Sequence, residues 1–215
     1  MKQNEKVDYI FENGENIFFT SDSHANHENI IKFCKRPFEN SKQMDEELIK
    51  KWNEKVPKDG IVFHLGDFAW GGYNVWKNFR EQLNGKIYLI KGNHCLKNLT
   101  TTAKELFENV TFQMRIEIEG RKIWLNHFPL LCYSGTYRDL QGLEYNLFGH
   151  VHLSNIMSRN NGKDTERCLE MLFPTQYDVG VDFNDFSPIS WYEVNEKIQK
   201  QIENNTNLKM WIKNE

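Results

Sequence analysis

The chain has 215 residues, of which 39% are hydrophobic and 27% are charged, and its formal net charge is −3. This size and apolar content suit one hydrophobic core, so we expect a single domain over residues 1–215. The charge balance shows no basic surplus. A protein dedicated to nucleic-acid binding usually carries one, so we expect no dedicated nucleic-acid surface.

The cysteines and the apolar runs indicate the compartment. The four cysteines are scattered and form no C-x-x-C pair; they are Cys34, Cys95, Cys132 and Cys168. Charged residues within the first eight positions interrupt any apolar signal segment. No apolar run approaches the ~20 residues needed to cross a bilayer. We therefore expect a cytoplasmic protein with reduced cysteines and no membrane partner.

The first half of the sequence alternates short apolar runs with amphipathic segments. Strands are predicted over residues 16–20, 61–65 and 87–91, and helices over residues 28–34 and 74–83. A further helix is predicted from Ser41 towards a turn at residues 57–60, with an imperfect capping box because Met44 replaces the usual Glu or Gln. This order predicts βαβ units with parallel strands.

The second half changes character. Residues 110–119 and 122–126 are predicted to form a hairpin around Gly120-Arg121, followed by strands at residues 146–148, 177–181 and 189–194. Residues 158–167 are polar and predict an exposed loop, and residues 196–204 predict a terminal helix or a solvated tail. Together the elements predict an α/β fold of two sheets flanked by helices.

Five short motifs place metal-ligand residue types directly after apolar, strand-like runs. They are Asp22-Ser23-His24, Gly66-Asp67, Gly92-Asn93-His94, His127-Phe128-Pro129 and Gly149-His150-Val151-His152. In open α/β sheets, sites form just beyond the carboxyl ends of the strands, so we expect these side chains to converge. Imidazole, carboxylate and amide groups without a thiolate suit Mn²⁺, Fe, Zn²⁺ or Ni²⁺.

Each motif also has an ordinary structural explanation when it is taken alone. Asp22 can cap the helix that follows it, Asn93 can form an Asx turn, and His127 can be a buried histidine bonded to backbone. His150 and His152 form the strongest local signal, since two imidazoles at i and i+2 stand beside a permissive glycine. The structural explanations together require five independent coincidences at strand ends, and this favours a metal site.

The ordered set Asp-x-His, Gly-Asp, Gly-Asn-His, His and Gly-His-x-His resembles the calcineurin-like metallophosphoesterase superfamily, including its small bacterial and phage members. The resemblance runs from Asp22 to His152 and continues into Val179-Gly180-Val181-Asp182. It implies a four-layer α/β/β/α sandwich of two mixed sheets flanked by helices, with two adjacent divalent metal ions. The implied ligands are Asp22, His24, Asp67 and His152 for the first ion, and Asp67 (bridging), Asn93, His127 and His150 for the second.

The resemblance also implies an activity, the hydrolysis of phosphoric esters by in-line attack of a hydroxide that bridges the two ions. His94 would bind no metal, and it would protonate the leaving oxygen or bind the phosphoryl group. His27 and Arg36 are tentative substrate-binding residues, and each has an ordinary alternative as a solvent-facing or loop residue. Cys95 departs from the pattern, because many members carry an acidic residue directly after Gly-Asn-His.

The expected substrate is a small phosphorylated molecule, which can be a monoester or a diester. A nucleotide is one such substrate. The alternative enzymes are a nuclease and a cyclic-nucleotide phosphodiesterase. An alternative from another class is a non-catalytic metal-binding scaffold, which the presence of His94 and of every implied ligand disfavours. His64 lies inside a predicted strand, and we expect it to fill a place in the core or to orient a ligand.

Overall fold

The computed structural model describes residues 7–95, 99, 101–134, 144–152 and 171–204. The strands of the first sheet are β2 (Ile17–Thr20), β3 (Ile61–His64), β4 (Lys86–Ile90), β5 (Asn109–Thr111) and β10 (Ile189–Ser190). Their order is β10-β2-β3-β4-β5. Strands β2 to β5 are parallel, and β10 is antiparallel to β2. The carboxyl ends of β2, β3 and β4 therefore lie at one edge.

Three helices connect these strands and pack on the first sheet. They are α1 (Glu28–Phe33), α2 (Ser41–Lys55) and α3 (Tyr73–Arg80). One core cluster joins strand residues such as Val62 and Leu89 to helix residues such as Leu48, Trp52 and Trp76, all of them buried. Burial of these apolar faces, at roughly 25 cal/mol per Å², holds the helices on the sheet.

The second sheet is also mixed. Its strands are β1 (Tyr9–Phe11), β6 (Gln113–Ile118), β7 (Arg121–Asn126), β8 (Tyr145–Phe148) and β9 (Gln176–Asp178). They follow the order β1-β6-β7-β8-β9, in which only the predicted hairpin pair β6 and β7 is antiparallel. The carboxyl ends of β7, β8 and β9 thus share one edge.

A second core cluster lies between the two sheets. Alternate residues of several strands point into it, including Phe19 and Phe63 from the first sheet and Leu125 and Leu147 from the second. Helix α4 (Trp191–Asn204) contacts β2, β9 and β10 and buries Ile198 in the same cluster. The predicted α/β sandwich of two mixed sheets flanked by helices is therefore confirmed.

The prediction of one strand over residues 110–119 is wrong. Residues 109–111 pair with β4 in the first sheet, whereas residues 113–118 pair with β1 and β7 in the second. Phe112, 59% exposed, lies at the point where the chain passes between the sheets. The alternation of side chains persists through this crossing, so periodicity alone did not reveal it.

Two predictions about helix starts also need correction. Helix α2 does begin at Ser41, but the cap is Asn40, whose side chain accepts a hydrogen bond from the Gln43 N–H. Residues 191–194 are the first turn of α4 and not strand. Ser190 and Glu193 form a reciprocal capping box there, a signal that the sequence contained.

Some elements fall outside the sequence predictions. Strand β1 and a 3₁₀ helix at Thr102–Leu106 were not predicted. The loop predicted over residues 158–167 lies outside the described residues. Within the described ranges, no helix combines the length and the apolar character that a membrane span requires.

Candidate metal centre

All five motifs follow strands whose carboxyl ends meet at one edge of the sandwich. Backbone hydrogen bonds hold neighbouring loops together within each sheet, including Asp22 N–H to Gly66 O (2.9 Å) and Gly149 N–H to His127 O (3.0 Å). The two sheets are joined at the same edge by the Val181 N–H, which donates to Ser21 O at 3.0 Å. The sequence motifs are therefore brought into one site.

The backbone of these loops is unusual. Five of the implied ligands have a positive φ: Asp22 (59°), His24 (49°), Asp67 (53°), His150 (71°) and His152 (47°). This left-handed region is sparsely populated by residues other than glycine, and such conformations cluster at functional sites. Five implied ligands in this conformation therefore indicate a functional site at this edge of the sandwich.

Two motif glycines are required by close approach of the acidic ligands. A Cβ on Gly92 would lie 2.2 Å from Asp67 Oδ1, and a Cβ on Gly149 would lie 2.3 Å from Asp22 Oδ2. Any side chain at either position would displace a carboxylate. The glycines of these motifs thus create the space that the acidic side chains occupy.

One group of ligand atoms comes from Asp22, His24 and His152. Asp22 Oδ1 lies 4.0 Å from His24 Nε2 and 3.8 Å from His152 Nε2. The same oxygen is buried and has no hydrogen-bond partner, whereas Asp22 Oδ2 accepts from the His150 N–H at 2.8 Å. A buried carboxylate oxygen without a donor is costly, and a cation between these three side chains would satisfy it.

A second group comes from Asp67, His127 and Asn93. The Nδ1 of His127 bonds the Leu65 carbonyl oxygen at 2.7 Å, which directs Nε2 towards Asp67 Oδ2 at 3.4 Å and Asn93 Oδ1 at 2.9 Å. The Asp67 and Asn93 oxygens both carry lone pairs. A positive group therefore belongs between them and the imidazole, and this group is either a proton on Nε2 or a metal ion.

Asp67 connects the two groups. Its Oδ2 also lies 3.7 Å from His24 Nε2, so one carboxylate oxygen stands between an imidazole of each group. Two ligand atoms that each lie about 2.1 Å from one ion are at most about 4.2 Å apart. The distances between the carboxylate or amide oxygens and the imidazole nitrogens of the two groups range from 2.9 to 4.0 Å and meet this limit. The donor set of carboxylate, imidazole and amide therefore fits divalent cations.

His150 lies at the margin of this arrangement. Asp22, Asp67 and His127 each offer a ligand atom, and these three atoms lie within 4.8 Å of one another. Among the described residues, His150 belongs to no such group. The His150 ring centroid is 5.1 Å from that of His127 and 4.6 Å from that of Phe128. Its implied role as a ligand of the second ion stays a prediction.

The protonation equilibria of the site are consistent with ligand chemistry. Burial lowers the pKa of His24 well below its ordinary value, and the charge of His152 adds to this effect. Burial also opposes the charged form of His152. The Asp22 carboxylate and the hydrogen bond to Asp182 outweigh burial, so the pKa of His152 lies well above its ordinary value. Cation binding would therefore compete with a proton on His152.

Cys34, His152 and Asp182 form another cluster of ligand-type atoms, with Cys34 Sγ 3.4 Å from His152 Nδ1. Arg36 occupies the cation position there. Its Nε and Nη2 donate to the two Asp182 oxygens at 2.8 Å each. Burial of Asp182 favours the neutral acid, but the charge of Arg36 and the hydrogen bonds outweigh this effect and lower the Asp182 pKa to about 2. The guanidinium already supplies the positive charge, so we assign no metal to this cluster.

The expectation that Arg36 lines the substrate cleft does not fit its position. Its side chain is 0% exposed, and its donors are directed to Asp182 and to the carbonyl oxygens of Asp22 and Ser23. His64, by contrast, is fully buried in the core, one of the two places that we expected for it. It hydrogen-bonds Ser23 Oγ at 2.9 Å, and burial lowers its pKa to about 3, so the ring is neutral.

The described residues form an open cavity of about 290 Å³ above these clusters, lined by Phe33 and by most of the implied ligands. His94 lines it too, and the His94 backbone N–H donates to Asp67 Oδ1 at 2.9 Å. His27 also faces the cavity and stacks on Trp70, with 4.3 Å between ring centroids and 7° between planes. The positions of His94 and His27 thus allow contact with a ligand in the cavity.

Cys95 does not take over the role of an acidic neighbour of His94. The thiol is buried, and burial raises its pKa to about 11, so that it stays neutral at physiological pH. Trp70 is the residue near His94 that sequence reasoning missed; the two ring centroids are 5.2 Å apart. Asp182 was included in the resemblance without a role, and the structure adds its contacts with Arg36 and His152.

Comparison with known proteins agrees with this site. The sequence matches the model of the calcineurin-like phosphoesterase superfamily domain over residues 16–166. The chain therefore belongs to the calcineurin-like phosphoesterase superfamily. Members are generally hydrolytic phosphoesterases that use divalent metal ions.

Three individual proteins are similar to this chain. An uncharacterized protein of Methanocaldococcus jannaschii is 46% identical over 142 residues, which cover 65% of this chain and 71% of the relative. The crystal structure of a protein of unknown function from Aquifex aeolicus aligns with a TM-score of 0.61 at 24% identity, covering 84% of this chain and 97% of that one. This structural likeness supports the fold. A Pseudomonas putida nuclease aligns at a TM-score of 0.41 and 18% identity, over 64% of this chain and 61% of its own.

Proposed function

We propose that the protein hydrolyses small phosphoric monoesters or diesters with two divalent cations held by the strand-end ligands. The observation that carries the proposal is the position of Asp67 Oδ2 between His24 Nε2 and His127 Nε2, at 3.7 and 3.4 Å. A carboxylate shared by two imidazole groups is the arrangement that two neighbouring ions require. Membership of the superfamily supports the same reaction class.

In this proposal, Asp22, His24, Asp67 and His152 hold one ion, and Asp67, Asn93, His127 and His150 hold the other. The cations, when bound, supply Lewis-acid activation of the attacking water and of the phosphoryl oxygens. Mn²⁺, Fe, Zn²⁺ and Ni²⁺ all suit the donor set. The protein contributes the fixed geometry of the ligands, which directly follow strand ends and of which five are buried.

His94 is the catalytic residue of the proposal. Its backbone is fixed by Asp67 Oδ1, and its ring lies against His24 and Trp70 at centroid distances of 5.3 and 5.2 Å. From this place, the imidazolium would donate a proton to the departing oxygen or hold the phosphoryl group. The His27 ring, kept in place by its stack on Trp70, would contact the substrate on the same side.

The small open cavity favours a compact substrate, and the net charge of −3 offers no long-range attraction for a polynucleotide. A nuclease or cyclic-nucleotide phosphodiesterase remains the second candidate enzyme, since it would use the same centre. A non-catalytic scaffold is disfavoured by His94, which lines the cavity beside the proposed ligands although metal binding alone does not need it.

Hydrolysis of p-nitrophenyl phosphate and of bis(p-nitrophenyl) phosphate tests the proposal. We expect Mn²⁺-dependent turnover of at least one ester by the full chain, and loss of turnover in Asp67→Asn. Asp185→Asn is the matched control, because that carboxylate is 88% exposed and remote from the ligands in its contacts. An inactive wild-type protein that binds two ions across the metal series would refute hydrolysis and revive the scaffold.

A further inference from the structure

Arg36 is buried behind the candidate metal centre and contacts two loops of it. Nη2 donates to the Asp22 carbonyl oxygen at 2.6 Å, and Nη1 donates to the Ser23 carbonyl oxygen at 2.9 Å. The Nε and Nη2 groups also bind Asp182 through both carboxylate oxygens. One guanidinium thus ties the loop after β2 to the loop after β9.

Asp182 passes this connection to a third loop. Its Oδ2 lies 2.6 Å from His152 Nδ1, which fixes the ring and directs Nε2 towards Asp22 Oδ1. A carboxylate that accepts from one ring nitrogen sets the tautomer and orientation of a metal-binding histidine. The planar fork of Arg36 in turn fixes the carboxylate, which a lysine could bind only as a point charge.

We propose that Arg36 and Asp182 are a positioning pair, which presets Asp22 and His152 for one of the two cations. The inference rests on the two-ion arrangement of the proposed function. Arg36 acts on the Asp22 backbone, Asp182 acts on the His152 ring, and the ion pair makes the two placements dependent on each other. Neither residue is a ligand.

The contacts distinguish this role from simple stabilisation of the fold. A buried ion pair is weak support for stability, because desolvation of the charges offsets their attraction. Here, each partner bonds a residue that bears a ligand of the same ion. The hydrogen bonds described above lead from the pair to Asp22, Ser23 and His152, all on the side of one ion. The pair should therefore affect one ion and spare the other.

Calorimetric titration of the metal-stripped full chain with Mn²⁺ tests the inference. In Asp182→Asn, we expect one of the two binding events to weaken about 10–100-fold, while the other keeps its wild-type Kd. Asp185→Asn, in the same loop, should bind both ions as the wild type does. Equal binding of both ions in Asp182→Asn and in the wild type would overturn the inference.

Arg36→Lys provides a second test with the positive charge retained. It cannot reach both Asp182 oxygens and both carbonyl oxygens at once, so we expect the same ion to weaken while the protein stays folded. An NMR readout accompanies both variants. The hydrogen-bonded imidazole proton of His152 should be lost in Asp182→Asn and shifted in Arg36→Lys. Equal weakening of both ions, or unchanged binding in Arg36→Lys, would overturn the pairing.

The readouts separate this inference from the proposed function. Metal binding is measured without substrate, so a chain that hydrolyses no ester can still show selective loss of one ion. Conversely, an active enzyme whose Asp182→Asn variant binds both ions normally would retain the proposed function and refute the positioning pair.

Discussion

Stabilisation by divalent cations is the most direct consequence of the candidate centre. In the absence of cations, Asp22 Oδ1 is buried without a donor, and it lies within 4.0 Å of two histidine Nε2 atoms. A ligand that binds only the folded chain stabilises it by RT ln(1 + [L]/Kd). Since the proposed ligands come from five separate loops, the unfolded chain offers no comparable site.

The magnitude follows from these terms. At a free cation concentration 100 times Kd, each ion contributes about 2.7 kcal/mol. For a chain of this size, about 1 kcal/mol shifts the melting temperature by roughly 2–4 °C. Saturation of one site should therefore raise Tm by roughly 5–11 °C, and saturation of both by about twice that. Asp22→Asn removes a carboxylate from one ion only, so about half of the shift should remain.

Thermal unfolding of the metal-stripped protein, followed with and without added Mn²⁺ or Zn²⁺, measures these shifts. Asp185→Asn serves as control and should show the full wild-type increase. The reasoning is refuted if saturating cations leave the wild-type Tm unchanged, or if Asp22→Asn gains as much as the wild type. Either result would mean that the buried carboxylate oxygen is not a ligand.

Three further predictions concern the same site. His94→Ala should lower kcat about 10²–10⁴-fold with two ions still bound, as measured by steady-state kinetics and metal analysis; loss of metal in the variant would contradict a purely catalytic role. Gly92→Ala should weaken Mn²⁺ binding, because its Cβ would meet Asp67 Oδ1 at 2.2 Å, whereas Gly72→Ala, which meets nothing within 4 Å, should not. The Asp182 pKa, lowered from 3.8 to about 2, should contribute about 2–3 kcal/mol that is present above pH 4 and lost as pH falls towards 2. Urea unfolding in chelator should show this loss in the wild type and not in Asp182→Asn.

The sequence predicted those parts of the fold and site that depend on local pattern. The strands before Asp22, Asp67, Asn93, His127 and His150 are short apolar runs, and each is present within a few residues of its predicted range. The motif residues have short spacings and follow these strands directly. Parallel strands bring such loops to one edge, so convergence follows from topology alone.

Other features depend on contacts that no local pattern contains. Arg36 looks like a loop residue before Pro37, and its partner Asp182 lies 146 positions away in the sequence. The passage of the chain between sheets at Phe112 also leaves the alternation unchanged. The capping box at Ser190 and Glu193 is different, since its spacing was readable and the apolar run around it was interpreted as strand.

The backbone strain at the ligands and the buried network behind them explain each other. A left-handed non-glycine residue costs about 1–3 kcal/mol, and it persists only where the surroundings over-determine it. For Asp22 and His24, those surroundings include the carbonyl oxygens of Gly66 and Asp67, which accept from their N–H groups at 2.9 Å. On the other side, Arg36 holds the Asp22 carbonyl. In the proposed centre, the network would therefore keep these side chains in place before a cation binds, so that binding energy would not be spent on ordering them.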